Sequence, residues 1–373
     1  MHELRDRDEI EALLKGLGIL GTGGGGPPRE FGEPVMQADF AAGRYCSLVS
    51  PDEVPDDAVV VSGGYLGSVA DPIDVNEVLA RWEHDFEFGR AVRELGRYLG
   101  KKIDYLLATE LGGGNTVVIV TAGARLGIPV IDGDMAGRAV PETHMTSMSI
   151  CGARLTPLAM IDLENNVVFV DRCGDLFADQ LGRFLVTRTH GMVATVGSPM
   201  DGATLKRGVI PGTLSQAIKL GEFAGSLTGE PEERLRRVAR FLRGWPLFWG
   251  EVTRVESDNT RGHYHAKVFL KGKRSFSGQS FKIIIKNETM VGWRDGKLVC
   301  MLPDLLLMMD PVTLEGVMSA SITDGTEMLV VGARSHERMR AALRTPAGQV
   351  AFSSERYYED IPYRPIEELM KDA

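Results

Sequence analysis

The sequence predicts an α/β N-terminal domain whose sheet is largely parallel and built from βαβ units, followed by a second, β-rich α+β domain. Three observations predict it. The stretch from Ile103 to Met145 reads strand, glycine turn, helix, strand, which is the order of a right-handed βαβ unit. A second unit, running from Ala58 through a helical segment to Ile103, shares a strand with the first. Beyond Gly250 the texture changes to alternating or apolar runs bounded by turn residues, the pattern of mostly antiparallel strands. Residues 1–165 are expected to form the first domain and 166–373 the second, with the tail from Arg356 packing back on the first.

Taken in order, Asp8 to Leu20 has apolar residues at Ile10, Leu13, Leu14, Leu17 and Leu20, a helical period, with acids at its start that suit the helix dipole. It runs into Gly21-Thr22-Gly23-Gly24-Gly25-Gly26 and then Pro27-Pro28. The glycines satisfy GxGxxG on paper, but that fingerprint needs a strand before it and a helix after it, and no GK[ST] follows for a phosphate-binding loop. Four glycines leave backbone amides bare, so Gly23 to Gly26 are candidates to approach a ligand closely. Ala58 to Val61 predicts a buried strand ending at Ser62-Gly63-Gly64, and Val75 to Leu99 has helical spacing throughout. Ile103 to Thr109 predicts the next strand. Asn115 or Thr116 can cap a helix that Gly127 ends, and Ile128 to Ile131 predicts a third strand. Met160 to Asp171 predicts a hairpin turning at Asn165-Asn166. Helices are expected at 176–187, 214–221 and 232–242, with a strand at 192–196.

In a parallel sheet, ligands sit beyond the carboxyl ends of the strands. Three strand ends therefore bring Gly63 and Gly64, Glu110 with Gly113, Gly114 and Asn115, and Asp132 with Asp134 to one expected crevice. Glu110 follows the buried run LLAT, where an acid is costly unless paired or open to a cleft. Asp132 and Asp134, two apart, share a face in a strand and resist ionising together unless a cation intervenes, Arg138 or a divalent metal ion being the candidates; one of the pair can instead cap the turn. Glu142 and His144, after Pro141, can close the site from the far side. His263 and His265 share a strand face and start a two-ligand metal site that lacks a third ligand in sequence reach. His190 can face the domain interface. Cys151 has no His or Asp adjacent in sequence to activate it.

Composition bounds the function. The chain has 373 residues, 43% of them hydrophobic, which is ample for a packed two-domain core. A net charge of −9 argues against a nucleic-acid surface. The four cysteines show no CxxC pairing, and the charged N-terminus has no apolar signal core. A cytoplasmic protein is expected, bound to neither membrane nor nucleic acid, with a homo-oligomer as the base-rate assembly.

The motifs LGTGGGGPP, ATELGGGN and IPVIDGDMAGRAVPE, with SSERYYEDIPYRPIEEL near the C-terminus, resemble the S-methyl thiohydantoin desulfurase family, also written DUF917, over nearly the whole chain. The resemblance implies an α/β domain followed by a β-rich one, and a hydrolase acting on a cyclic ureide or imide. It also implies a hydantoinase partner protein. Asp134 or Glu110 is then expected to take a proton from water, Asp132 to act as acid, and Arg138 with the glycine amides to hold the ring oxygen. A metal- or ATP-dependent amidohydrolase or oxoprolinase-like subunit, and a non-catalytic ligand-binding partner, are the competing classes. No cofactor is fixed by these residues, a divalent metal being the one left open.

Overall fold

The computed structural model describes residues 2–71, 74–189, 192–260, 262–357 and 360–372. The chain begins with β1 (His2–Leu4) and α1 (Arg7–Leu20), whose N-cap Asp6 accepts from the Asp8 amide at 2.8 Å. After the glycine loop, a π turn over Pro28–Gly32 leads into α2 (Glu33–Ala41) and β2 (Cys46–Val49). Next come β3 (Val59–Gly67), α3 (Val75–Trp82), α4 (Glu87–Leu99), β4 (Tyr105–Ala108), α5 (Asn115–Leu126) and β5 (Val130–Asp134). The hairpin is β6 (Leu158–Asp162) and β7 (Val167–Val170), with Asn165 at a φ of 67° in its turn. Then follow α6 (Asp175–Val186), β8 (Met192–Asp201), α7 (Gly202–Gly208), β9 (Ile210–Pro211), α8 (Thr213–Ser226) and α9 (Pro231–Phe241).

The C-terminal part holds β10 (Trp245–Thr260), β11 (His263–Gly272), β12 (Ser280–Lys286), β13 (Glu288–Arg294), β14 (Lys297–Met301), β15 (Leu305–Met309) and β16 (Glu327–Ala333), closed by the short helices α10 (Glu337–Ala342), α11 (Pro346–Ala351) and α12 (Ile366–Leu369).

Among the described residues these strands form two sheets. The first has nine strands in the order β1-β2-β5-β4-β3-β8-β6-β7, with β9 added to β5. Its centre, β2-β5-β4-β3, is parallel as the βαβ units require, while β8, β6 and β7 extend it antiparallel. The second is an antiparallel seven-stranded sheet, β14-β13-β12-β11-β10-β16-β15. The expected boundary at 165/166 falls inside the β6–β7 hairpin, and the first sheet continues to Pro211 before the second begins at Trp245. Helices α1, α8 and α9 lie between the sheets: Leu13 and Leu17, Leu214 and Ala217, Leu235 and Val238 share one buried cluster with Leu305, Leu307 and Val331 of the second sheet.

Two local expectations are corrected. The segment from Val75 to Leu99 is two helices, because Glu87 is fully buried and turns the chain back to bond the Trp82 indole N–H at 3.0 Å, the Tyr65 hydroxyl at 3.2 Å and Arg81. The first buried strand runs past Ser62-Gly63-Gly64 to Gly67, since β8 pairs with it over that length. His190 lies outside the described residues. The tail packs chiefly on the second sheet, where the Tyr363 hydroxyl donates to Asp304 at 3.0 Å, and it reaches the first sheet's loops through Arg356 on Glu142. No helix is long and apolar enough to cross a membrane among the described residues.

Candidate active site

A cavity of about 650 Å³ opens between the two sheets. The first sheet contributes Gly64 to Asp71 at the end of β3, Glu110 after β4, Gly114 and Asn115 at the start of α5, and Thr143, Arg183 and Thr195. From the other side come the glycine loop at Gly25 and Gly26 and, from the second sheet, Asn287, Glu288 and the 315–321 loop.

Two buried carboxyl groups face each other's field here. Glu110 is fixed by two donors: the Asn115 side-chain amide at 2.7 Å on one oxygen and the Val140 backbone N–H at 2.6 Å on the other. Burial raises its pKa, against those two bonds and the charges of Arg183 and Arg138. Glu288, on the first residue of β13, accepts the Gly25 N–H at 3.2 Å on Oε1, and its buried Oε2 has no hydrogen-bond partner among the described residues. Burial first, and then the Glu110 charge, push Glu288 up to about 8, which favours its protonated form.

Glycines are required because two loops interpenetrate at this point. The Gly114 and Asn115 amides both donate to Gly25 O at 2.9 Å, a Cβ on Gly112 would sit 2.5 Å from the Gly25 backbone, and one on Gly24 would sit 1.8 Å from Glu288 Oε1. Gly25, Gly26, Gly64 and Gly114 line the cavity; Gly23, Gly24, Gly63 and Gly113 do not.

Arg183 is the cation of the wall. It is buried, and among the described residues its guanidinium bonds only backbone carbonyls: Gly67 O at 2.8 Å, Gly262 O at 3.1 Å and Pro141 O at 2.7 Å. With no carboxylate in contact, its charge remains available to an anion forming in the cavity.

The other expected acids are placed elsewhere, which corrects the single-crevice expectation. Asp132 accepts from the Leu214 and Ser215 amides at 3.1 Å each and from the Ser215 hydroxyl at 2.5 Å, so it caps α8 and does not line the cavity. Asp134 is fully buried, accepts the Ala136 and Gly137 amides at 2.9 and 2.7 Å, and is pushed up to about 7 by burial, also away from the cavity. The two side chains leave β5 for different surroundings because β9 pairs with its end at Gly133 and Asp134. Replacing Asp132 by Ala is expected to cost ~1 kcal/mol of stability in urea unfolding and to leave turnover unchanged. A loss of turnover would return Asp132 to the chemistry.

Arg138 is a strut rather than a catalytic group. Fully buried behind the cavity, it donates to Ala139 O (2.9 Å), Asp304 O (3.0 Å), the Thr22 hydroxyl (2.9 Å) and Thr289 O (2.6 Å), tying the glycine loop to the second sheet.

Glu142 and His144 join Asp179 in a buried cluster whose ligand atoms lie within 4.8 Å of one another, the one group of metal-ligand type among the described residues. Its negative charge is already met: Lys286 reaches Glu142 at 2.5 Å, Arg356 binds the other oxygen, and His144 Nε2 lies 3.3 Å from it. Burial would raise Glu142, but Lys286 above all, then His144 and Arg356, hold its pKa below the usual carboxylate value. Through Arg356 these ion pairs also tie the C-terminal segment to the cluster. Of the loop that carries Glu142 and His144, Val140 and Thr143 line the cavity. His263 is held neutral by burial and its Nε2 sits 3.0 Å from Pro141 O, and among the described residues the His263–His265 pair belongs to no group of three metal-ligand side chains. The Cys151 thiol is directed to Met148 O at 3.1 Å, outside the cavity.

A family model described as the S-Me-THD-like N-terminal domain matches residues 8–172, and one for the S-Me-THD-like C-terminal domain matches 174–366. The chain belongs to the S-Me-THD-like family. This is the S-methyl thiohydantoin desulfurase family that the glycine and IDGDMAGR motifs resemble. No curated protein matches the chain. The S-Me-THD-like fold is also seen in the crystal structure of a protein from Chromobacterium violaceum, which is 21% identical, with a TM-score of 0.75 over 98% of this chain and 100% of that one. At that identity the likeness shows the fold alone.

Glu288 and Arg183 were not singled out from the sequence. A signal for Glu288 existed: KNET interrupts the apolar runs FKIII and MVGW, placing an acid in a buried strand much as Glu110 follows LLAT. Arg183 carried no such signal, being one arginine on an amphipathic helix.

Proposed function

We propose that the chain hydrolyses a five-membered cyclic ureide or imide, with an S-methyl thiohydantoin as type substrate, water replacing the S-methyl group. The observation that carries this reading is the buried Glu110–Glu288 carboxyl pair in the cavity between the sheets, one member fixed by two hydrogen bonds and the other pushed toward its protonated form by burial and its neighbour's charge. Family membership supports the substrate class, and the cavity volume suits a small molecule.

In this mechanism Glu110 accepts a proton from water as the oxygen attacks the carbon bearing sulfur, while Glu288 protonates the ring nitrogen. The carbon–sulfur bond then breaks: the new hydroxyl loses its proton to Glu288, a carbonyl forms, and Glu110 returns its proton to the departing methanethiolate. One C–O bond is made, one C–S bond is broken, and both carboxyl groups end as they began. The Arg183 charge offsets the negative charge of the addition step.

The test is to incubate the purified protein with an S-methyl thiohydantoin and follow methanethiol with a thiol reagent. Release is expected, unaffected by chelator, and reduced roughly 10²- to 10⁴-fold in Glu110→Gln. Consumption of hydantoin or oxoproline only with magnesium and ATP would favour the amidohydrolase class instead, for which Glu142, His144 and Asp179 are the donor set. Saturable binding of these rings without turnover would favour a ligand-binding partner of a hydantoinase.

A further inference from the structure

We propose that the outer edge of β7 pairs with β7 of a second copy of this chain across a two-fold axis, joining the two nine-stranded sheets into one. The proposal rests on the fold and is independent of the reaction.

Edge strands invite pairing unless they are short, charged, interrupted or covered. The other edges show such devices: β1 has three residues and is followed by Arg5-Asp6, β14 begins at Lys297 and has α12 packed against it, and β15 is buried along its whole length, with the Val317 N–H on Met308 O. By contrast, β7 reads Val-Val-Phe-Val, with no charge and no proline, and it ends the first sheet.

The hairpin fixes which backbone groups face outward. The Asp162 amide donates to Asn166 O at 3.2 Å, so positions 166, 168 and 170 bond inward to β6. The N–H and C=O groups of Val167 and Phe169 then point away from the sheet. An antiparallel pair centred on Val168 sets Val167 opposite Phe169 of the second copy, and the reverse, so all four outward-facing residues exchange hydrogen bonds.

Side chains fit the same register. Val167 is 48% exposed and Tyr98 49%, and the Tyr98 ring lies 4.2 Å from that of Phe169, so each Val167 meets the other copy's Phe169–Tyr98 pair. Beyond the strand, this register carries the turn with exposed Glu164 toward exposed Arg172 of the second copy, and the two-fold axis repeats that opposite-charge approach. This self-complementarity in spacing and charge selects a second copy over an unrelated peptide as the occupant.

The test is sedimentation of the full chain over a range of concentrations, with Val167→Lys as the edge-blocking variant. A concentration-dependent dimer is expected, shifted to monomer by Val167→Lys with circular dichroism and methanethiol release unchanged. Independently of any variant, exchange of the Val167 and Phe169 amides is expected to slow as the wild-type dimer forms. A wild-type chain that stays monomeric, or a dimer that Val167→Lys leaves intact with both amides exchanging freely, overturns the proposal.

Discussion

Replacing Glu288 by Gln is expected to reduce turnover roughly 10²- to 10⁴-fold while making the folded chain more stable at neutral and alkaline pH. Both effects have one cause. Burial and the Glu110 charge raise the Glu288 pKa from 4.5 to about 8, so between those values the folded chain holds a proton that the unfolded chain has released. Folding stability therefore falls as pH rises through that window, by linkage. Glutamine keeps the shape, accepts the Gly25 amide as before and has no charge to lose, so the decline contributed by residue 288 disappears. Urea unfolding of wild type and variant at several pH values between 5 and 9 checks this. Parallel curves for the two proteins would mean that Glu288 is ionised in the fold throughout.

Arg138→Met is expected to destabilise the chain by at least about 3 kcal/mol, because orphaned buried acceptors cost ~1–3 kcal/mol each and this change orphans several. The carbonyls of Ala139, Asp304 and Thr289 and the Thr22 hydroxyl all lose their donor at once. Since Thr22 precedes the glycine loop and Thr289 follows Glu288, the loop and the carboxyl pair lose their common support. Urea unfolding is the primary readout. A variant of wild-type stability that is nonetheless inactive would place Arg138 in the chemistry rather than in the scaffold.

Much of the architecture follows from local signals. Helix α1 follows its apolar period and its Asp6 cap, Gly127 ends α5 in the left-handed conformation, and Asn165 turns the hairpin. These depend on residues a few positions apart. Glu110 was likewise legible, because the energetic conflict of an acid after a buried strand is local. Which way Asp132 faces was not, since its partners are the amides that begin α8, some 80 residues onward. Asp134, though its side chain bonds the nearby Ala136 and Gly137 amides, is walled off from the cavity by the added strand β9. The second carboxyl was harder still. Glu288 meets the Gly25 amide across 263 residues, and the two come together only when the second sheet docks on the glycine loop. In sequence the glycine run reads as a surface for ligands; in the fold its main demand is that one loop, its neighbour and the Glu288 side chain approach too closely for a Cβ.

The pH dependence of methanethiol release from an S-methyl thiohydantoin, measured as kcat/KM for wild type and Glu288→Gln, tests the carboxyl-pair mechanism most directly. The wild-type profile is expected to fall as pH rises through about 8, where Glu288 gives up its proton, and the small residual activity of Glu288→Gln is expected to lack that descending limb. A wild-type profile flat through pH 8, or a Glu288→Gln enzyme with the wild-type rate and limb, would contradict it.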